Sequence, residues 1–101
     1  MKQTAQDYFV RGLQFCQDSK FDQAVKVLGQ AIELEPTHLD ALYNRAKAYF
    51  KLNSFDLAIK DFTQLIELQP ANAFYYSERG VAYHLAKERS RALQELEKAD
   101  Q

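Results

Sequence analysis

Apolar residues recur along this chain at helical spacing, in blocks separated by short polar or breaking segments. From Thr4 to Gln17, Tyr8, Gly12 and Phe15 share one face and predict a first helix. Thr4 and Asp7 can start it by covering free backbone donors. After a turn at DSK (18–20), Phe21, Ala24, Val25, Leu28, Ala31 and Ile32 predict a second helix to about Leu34. Pro36 stops it there, because proline lacks the amide hydrogen and restrains the residue before it. Thr37 with Asp40 forms another capping pair for a third helix running to about Lys51, and LNS (52–54) is the next turn. Phe55, Ala58, Ile59, Phe62, Leu65 and Ile66 mark a fourth helix to Leu68, closed by Pro70. Asn72 can cap a fifth helix ending near Leu85. AKE (86–88) reads as a turn, and a sixth helix continues from it.

These blocks copy one another at an offset of 34 residues. Pro36 and Pro70 keep that step, as do Ala24, Ala58 and Ala92. So do Gly12, Ala46 and Gly80; Phe15, Tyr49 and Tyr83; Leu28, Phe62 and Leu96; and Arg11, Arg45 and Arg79. A fixed period of this length, with two helices in each, is the mark of a stacked helical repeat.

The pattern resembles the tetratricopeptide repeat, W-x2-L-G-x2-Y, then A-x3-F, then P. The first copy matches with Tyr8, Arg11, Gly12, Phe15, Ala24, Leu28 and Pro36. The second matches with Leu42, Arg45, Ala46, Tyr49, Ala58, Phe62 and Pro70; the third with Tyr76, Arg79, Gly80, Tyr83, Ala92 and Leu96, stopping short of its proline. Arginine replaces the pattern's leucine in every copy, and tryptophan is absent. The resemblance implies an all-α fold, an α-α superhelix (solenoid) of three antiparallel helix pairs. One domain would cover 1–101, with repeats at about 5–38, 39–72 and 73–101, the last truncated. Small residues then sit where paired helices cross, since axes about 8–10 Å apart leave little room for side chains. Large ones such as Tyr8, Phe15, Tyr49, Tyr76 and Tyr83 fill the space beside them. In the last copy Arg89 stands where Phe21 and Phe55 stood, and Asp100 where Ile32 and Ile66 stood. This suits an end of the stack, which needs a polar outer face.

A second apolar stripe lies opposite the packing stripe of each odd helix. It holds Phe9, Leu13 and Cys16 in the first, Tyr43, Lys47 and Phe50 in the third, and Phe74, Val81 and His84 in the fifth. Family resemblance implies that this stripe lines a concave groove for an extended peptide or helix of a partner. The other reading is packing between repeats. Lys47 and Lys51, one turn apart, are either groove cations or a solvated flank. The groove set is Phe9, Leu13, Tyr43, Asn44, Lys47, Phe50, Lys51, Phe74, Val81 and His84. Chaperone-binding relatives hold a C-terminal carboxylate with Lys and Asn residues. The matching positions here are Phe9, Leu13, Asn44, Phe74 and Glu78, of which Asn44 alone fits. A carboxylate clamp is therefore not expected.

Composition removes other classes. Thirteen basic and fourteen acidic side chains give a net charge of -1, against a nucleic-acid surface. Uninterrupted apolar runs reach about four residues, far short of the ~20 that span a bilayer, and MKQTAQD has no apolar core for a secretion signal. The lone Cys16 suits a reducing compartment, so a cytoplasmic location is expected. Cys16 and His84 sit two repeats apart, roughly 20 Å, too far for a catalytic dyad. Neither a metal-ligand cluster nor a phosphate loop occurs, so no cofactor is expected and the chain does not read as an enzyme. The expected function is non-catalytic protein binding, with a homo-oligomeric scaffold, assembled through the last repeat or the groove, as the alternative.

Overall fold

The chain folds into helices whose ends are set by local chemistry. The structure, a computed structural model, describes residues 2–99, so Asp100 lies outside the described residues. The helices are α1 (Ala5–Gln17), α2 (Phe21–Leu34), α3 (Leu39–Lys51), α4 (Phe55–Leu68) and α5 (Ala73–Ala99). Thr4 and Asp7 close the expected capping box on α1, at 2.9 and 3.1 Å. Asn72 caps α5 by accepting from the Phe74 amide at 3.1 Å. The expected Thr37–Asp40 cap is not used. Nδ1 of His38 accepts from the Ala41 amide at 3.1 Å instead. The His38 ring is held against Phe9, with centroids 4.8 Å apart, and its nitrogen covers the Ala41 amide, one residue beyond the Asp40 amide that a Thr37–Asp40 pair would use.

Two turns repeat atom for atom. Ser19 and Asn53 adopt left-handed backbone, φ 57° and 59°. The amide after each reaches back five residues: Lys20 to the Phe15 carbonyl and Ser54 to the Tyr49 carbonyl, both at 2.8 Å. This six-to-one bond closes a helix and turns the chain. The corresponding position in the last copy is Lys87, and there the expected turn and sixth helix are not found. The chain continues as one 27-residue helix, α5. Ala86, Lys87 and Glu88 are strong helix formers, and none favours the left-handed region. Arg89, which replaces the turn phenylalanine, donates to the Asn53 carbonyl and ties α5 to the neighbouring turn. Two antiparallel pairs and one long helix therefore stand where three pairs were expected. The radius of gyration is 15.5 Å, above the ~13 Å of a compact chain this size.

The pairs share one core. Ala24, Leu28, Ala31, Ala41 and Ala48 form one buried group, and Leu42, Ala46, Ala58, Phe62, Leu65, Ile66 and Tyr75 form the other. Ile32 packs against both. The small-residue crossing is tightest at Gly12, where an added Cβ would lie 2.5 Å from Leu28 Cδ2. Gly80, its counterpart two repeats on, meets no heavy atom within 4 Å among the described residues. Tyr76 and Tyr83 beside it are 45 % and 54 % exposed, where packing was expected. Among the described residues no partner helix covers them, because the helix expected to do so continues outward instead.

The arginines that replace the pattern's leucine have different tasks. Arg45 makes a bidentate contact with Asp61, 2.9 Å to Oδ2 and 2.7 Å to Oδ1. Burial works against both charges. The contact holds Arg45 above its usual value, while burial outweighs the guanidinium's pull on the deeper Asp61 and pushes its carboxyl up. Arg79 instead reaches Thr63 Oγ1 at 3.2 Å.

Gly12→Ala is expected to lower the thermal midpoint, its clash costing about 1–3 kcal/mol. Gly80→Ala is expected to raise it through about 0.5–1 kcal/mol of helix propensity. Arg45→Leu or Asp61→Leu alone should cost about 2–4 kcal/mol in denaturant unfolding, and the double substitution less than either. Asp61 takes its proton more readily in the folded chain. Its contribution to stability is therefore present at low pH and lost as pH rises through its raised pKa, so this pair gives no acid-unfolding step.

Candidate protein-binding groove

Lys47 and Lys51, one turn apart on α3, form a ridge between two shallow depressions. The first, about 190 Å³, is lined by Cys16, Phe21, Asn44, Lys47, Ala48 and Lys51. The second, about 200 Å³, is lined by Lys47, Phe50, Lys51, Glu78 and Val81. Each is smaller than the ~300–1,000 Å³ of a small-molecule cavity, and both are open. Such a surface suits successive side chains of an extended segment better than one enclosed ligand.

The expected groove residues divide. Asn44, Lys47, Phe50, Lys51 and Val81 come together around the ridge. Asn44 Nδ2 also donates to the Asp40 carbonyl at 2.7 Å, which fixes its amide. Tyr43 and Phe74 meet beside the ridge with centroids 5.7 Å apart, and the Lys47 ammonium lies 5.3 Å from the centre of the Tyr43 ring. Phe9 pairs with His38. Leu13 is half-buried, His84 is exposed, and neither lines these depressions.

Packing claims part of the stripe. The Phe50 ring sits 5.9 Å from both Phe55 and Phe62. Tyr43 lies 6.4 Å from Phe62 and 6.5 Å from Tyr75. These rings form the floor and the wall at once. Val81 and Phe74, each 50 % exposed, offer apolar surface with less packing duty. Phe21 and Ala48 line the first depression without having been assigned to the groove. Phe21 opens α2 just after the turn, so it lies at the same end of the pair as Cys16, a juxtaposition that stripe counting on one helix cannot show.

Electrostatics keeps the chemistry quiet. Burial pushes the Cys16 thiol up, with Lys47 pulling the other way, so the sulfur stays a protonated, weakly polar lining. Burial, Glu78 and Tyr75 together push the Tyr43 hydroxyl up, leaving it a donor. Among the described residues, no group of three His, Cys, Asp or Glu side chains could hold a metal ion. No helix among them is long and apolar enough to cross a membrane.

An all-α stack of antiparallel helix pairs defines a helical-repeat protein. The chain belongs to the tetratricopeptide repeat family. The family profile described as TPR repeat matches residues 12–53, and the one described as Tetratricopeptide repeat matches 39–72. No curated protein matches by sequence. Among solved structures, the second TPR of Spaghetti (RPAP3), bound to the HSP90 peptide SRMEEVD, is 28 % identical with a TM-score of 0.77. The match covers 94 % of this chain and 88 % of that one. The TPR2B domain of yeast Sti1, in complex with pHsp70, is 31 % identical with a TM-score of 0.75, over 92 % and 74 %. MamA is 26 % identical with a TM-score of 0.79, over 95 % of this chain but 52 % of its own.

Phe50→Ala is expected to destabilise by about 2–4 kcal/mol in thermal unfolding. Val81→Ser should stay within about 0.5 kcal/mol, which separates floor from wall.

Proposed function

We propose that the chain is a non-catalytic protein-binding module that takes an extended segment of a partner across the Lys47–Lys51 ridge. Apolar partner side chains enter the two flanking depressions, and an acidic residue meets the lysines. The observation that carries this reading is the ridge itself, two cations with an apolar depression on either side. The similar domain of Spaghetti bound to an HSP90 peptide, and that of Sti1 in complex with pHsp70, support a protein segment as the ligand. The ligand here does not depend on a C-terminal carboxylate. Phe9, Leu13 and Phe74 supply no cation at the clamp positions, and Glu78 supplies an anion. The lone Cys16, kept as a thiol, fits work in the cytoplasm. A second reading, self-association, is favoured by the uncovered Tyr76–Gly80–Tyr83 stripe on α5.

The test is fluorescence titration with labelled extended peptides carrying one acidic residue among apolar ones. Lys47→Glu with Lys51→Glu is expected to weaken binding at least about tenfold while leaving the unfolding midpoint in place. Amidating the peptide's C-terminus should change little. Affinity that ignores the lysines, or collapses on amidation, would sink the proposal.

A further inference from the structure

The two surfaces that the 34-residue register pairs with each other both lie on α5, at opposite ends and uncovered. Near its start, Tyr76, Arg79, Gly80 and Tyr83 form the stripe that a partner helix covers in the first two pairs. An added Cβ at Gly80 would touch nothing within 4 Å among the described residues. Further along stand Ala92, Glu95 and Leu96, at the register positions of Ala58, Asp61 and Phe62. In the second pair those three residues are buried on α4. Here Leu96 is 64 % exposed. Glu95 is exposed as well.

The match extends to charge. Arg45 and Asp61 form the bidentate pair between α3 and α4. The same step of 34 turns these into Arg79 and Glu95. The Arg79 guanidinium, which donates to Thr63 Oγ1 on α4 at 3.2 Å, also lies against the stripe, 5.7 Å from the Tyr76 ring centre and 6.0 Å from that of Tyr83.

A chain cannot satisfy its own match while α5 is continuous. Gly80 and Leu96 are ~24 Å apart along a straight helix. We propose that residues 92–97 of a second copy dock on this stripe, antiparallel to α5 and in the register with which α4 sits on α3. Leu96 of one copy then covers Gly80 of the other, as Leu28 covers Gly12, and Glu95 of one copy pairs with Arg79 of the other. This rests on the self-association reading above and names its segment and register. At ~100° per residue the receiving stripe and the donated one point to nearly opposite sides of α5. Two straight copies therefore do not close on each other, and the contact passes from copy to copy.

Light scattering across concentration, backed by sedimentation, tests this on the full chain. The wild-type mass should rise with concentration. Glu95→Arg and Leu96→Asp alter exposed side chains and so spare the single chain's fold. Each should raise the concentration needed for association at least about tenfold. Arg79→Glu should do the same, with helicity checked by circular dichroism. Mixing Arg79→Glu chains with Glu95→Arg chains should restore association, because every contact between unlike chains then joins opposite charges. A wild type that stays monomeric throughout would overturn both this proposal and the self-association reading. Association that ignores Glu95→Arg and Leu96→Asp, or that mixing fails to restore, would overturn the register alone.

Discussion

The stack rests on one close approach, that of a small residue on one helix to a large side chain on its mate. At Gly12 the fit against Leu28 leaves no room for a methyl group. Ala46 and Phe62, at the same positions one repeat on, are both fully buried. With the backbones this near, the side chains flanking the crossing reach over it. Phe15 packs on the first core group and Tyr49 on the second. Ile32 packs against both groups, so the two pairs act as one core. The fully buried Phe62, Leu28 and Leu65 then each contribute roughly 1.5–3 kcal/mol of apolar burial.

That crossing can form within a chain only where the chain turns back, and turning back needs one residue in left-handed backbone. Ser19 and Asn53 supply it, and both precede an amide that closes the turn. Lys87 stands at the third such position, among residues that favour helix. The result is one helix of 27 residues rather than two of about half that length. A single backbone preference thus decides whether the last apolar stripe folds inward or stays outside.

Most of the architecture was legible in the sequence because periodicity and punctuation agreed. Pro36 and Pro70 follow helices that end at Leu34 and Leu68, and the second and fourth helices begin at Phe21 and Phe55 as their apolar spacing required. The break at 86–88 was misread by analogy of position. The register pointed to a turn there, whereas Ala86-Lys87-Glu88 has no residue that favours one. Arg45 looked like a departure from the family pattern, and its reason was a residue 16 positions away, Asp61, which local spacing on one helix does not reveal. His38 replaced the expected cap for a similar reason, since Phe9, on another helix, holds its ring. In the groove, a one-helix projection could not show that Phe50 and Tyr43 are shared with the core, because the rings they touch come from α4 and α5.

α5 carries its receiving stripe and its ridge-facing residues on separate sides. Val81 and Glu78 face the Lys47–Lys51 ridge, and Tyr76 and Tyr83 flank Gly80 nearly opposite, by the helical period. The donated residues Ala92, Glu95 and Leu96 share the ridge's side of α5 but begin ~16 Å further along it, so an array of copies joined along α5 would still hold several grooves in a row. A partner carrying repeated short segments would meet them at high local concentration, and modest affinity at each groove would sum to strong retention through avidity. A weak individual contact is then no obstacle to holding a partner, and the release of one segment does not release the whole.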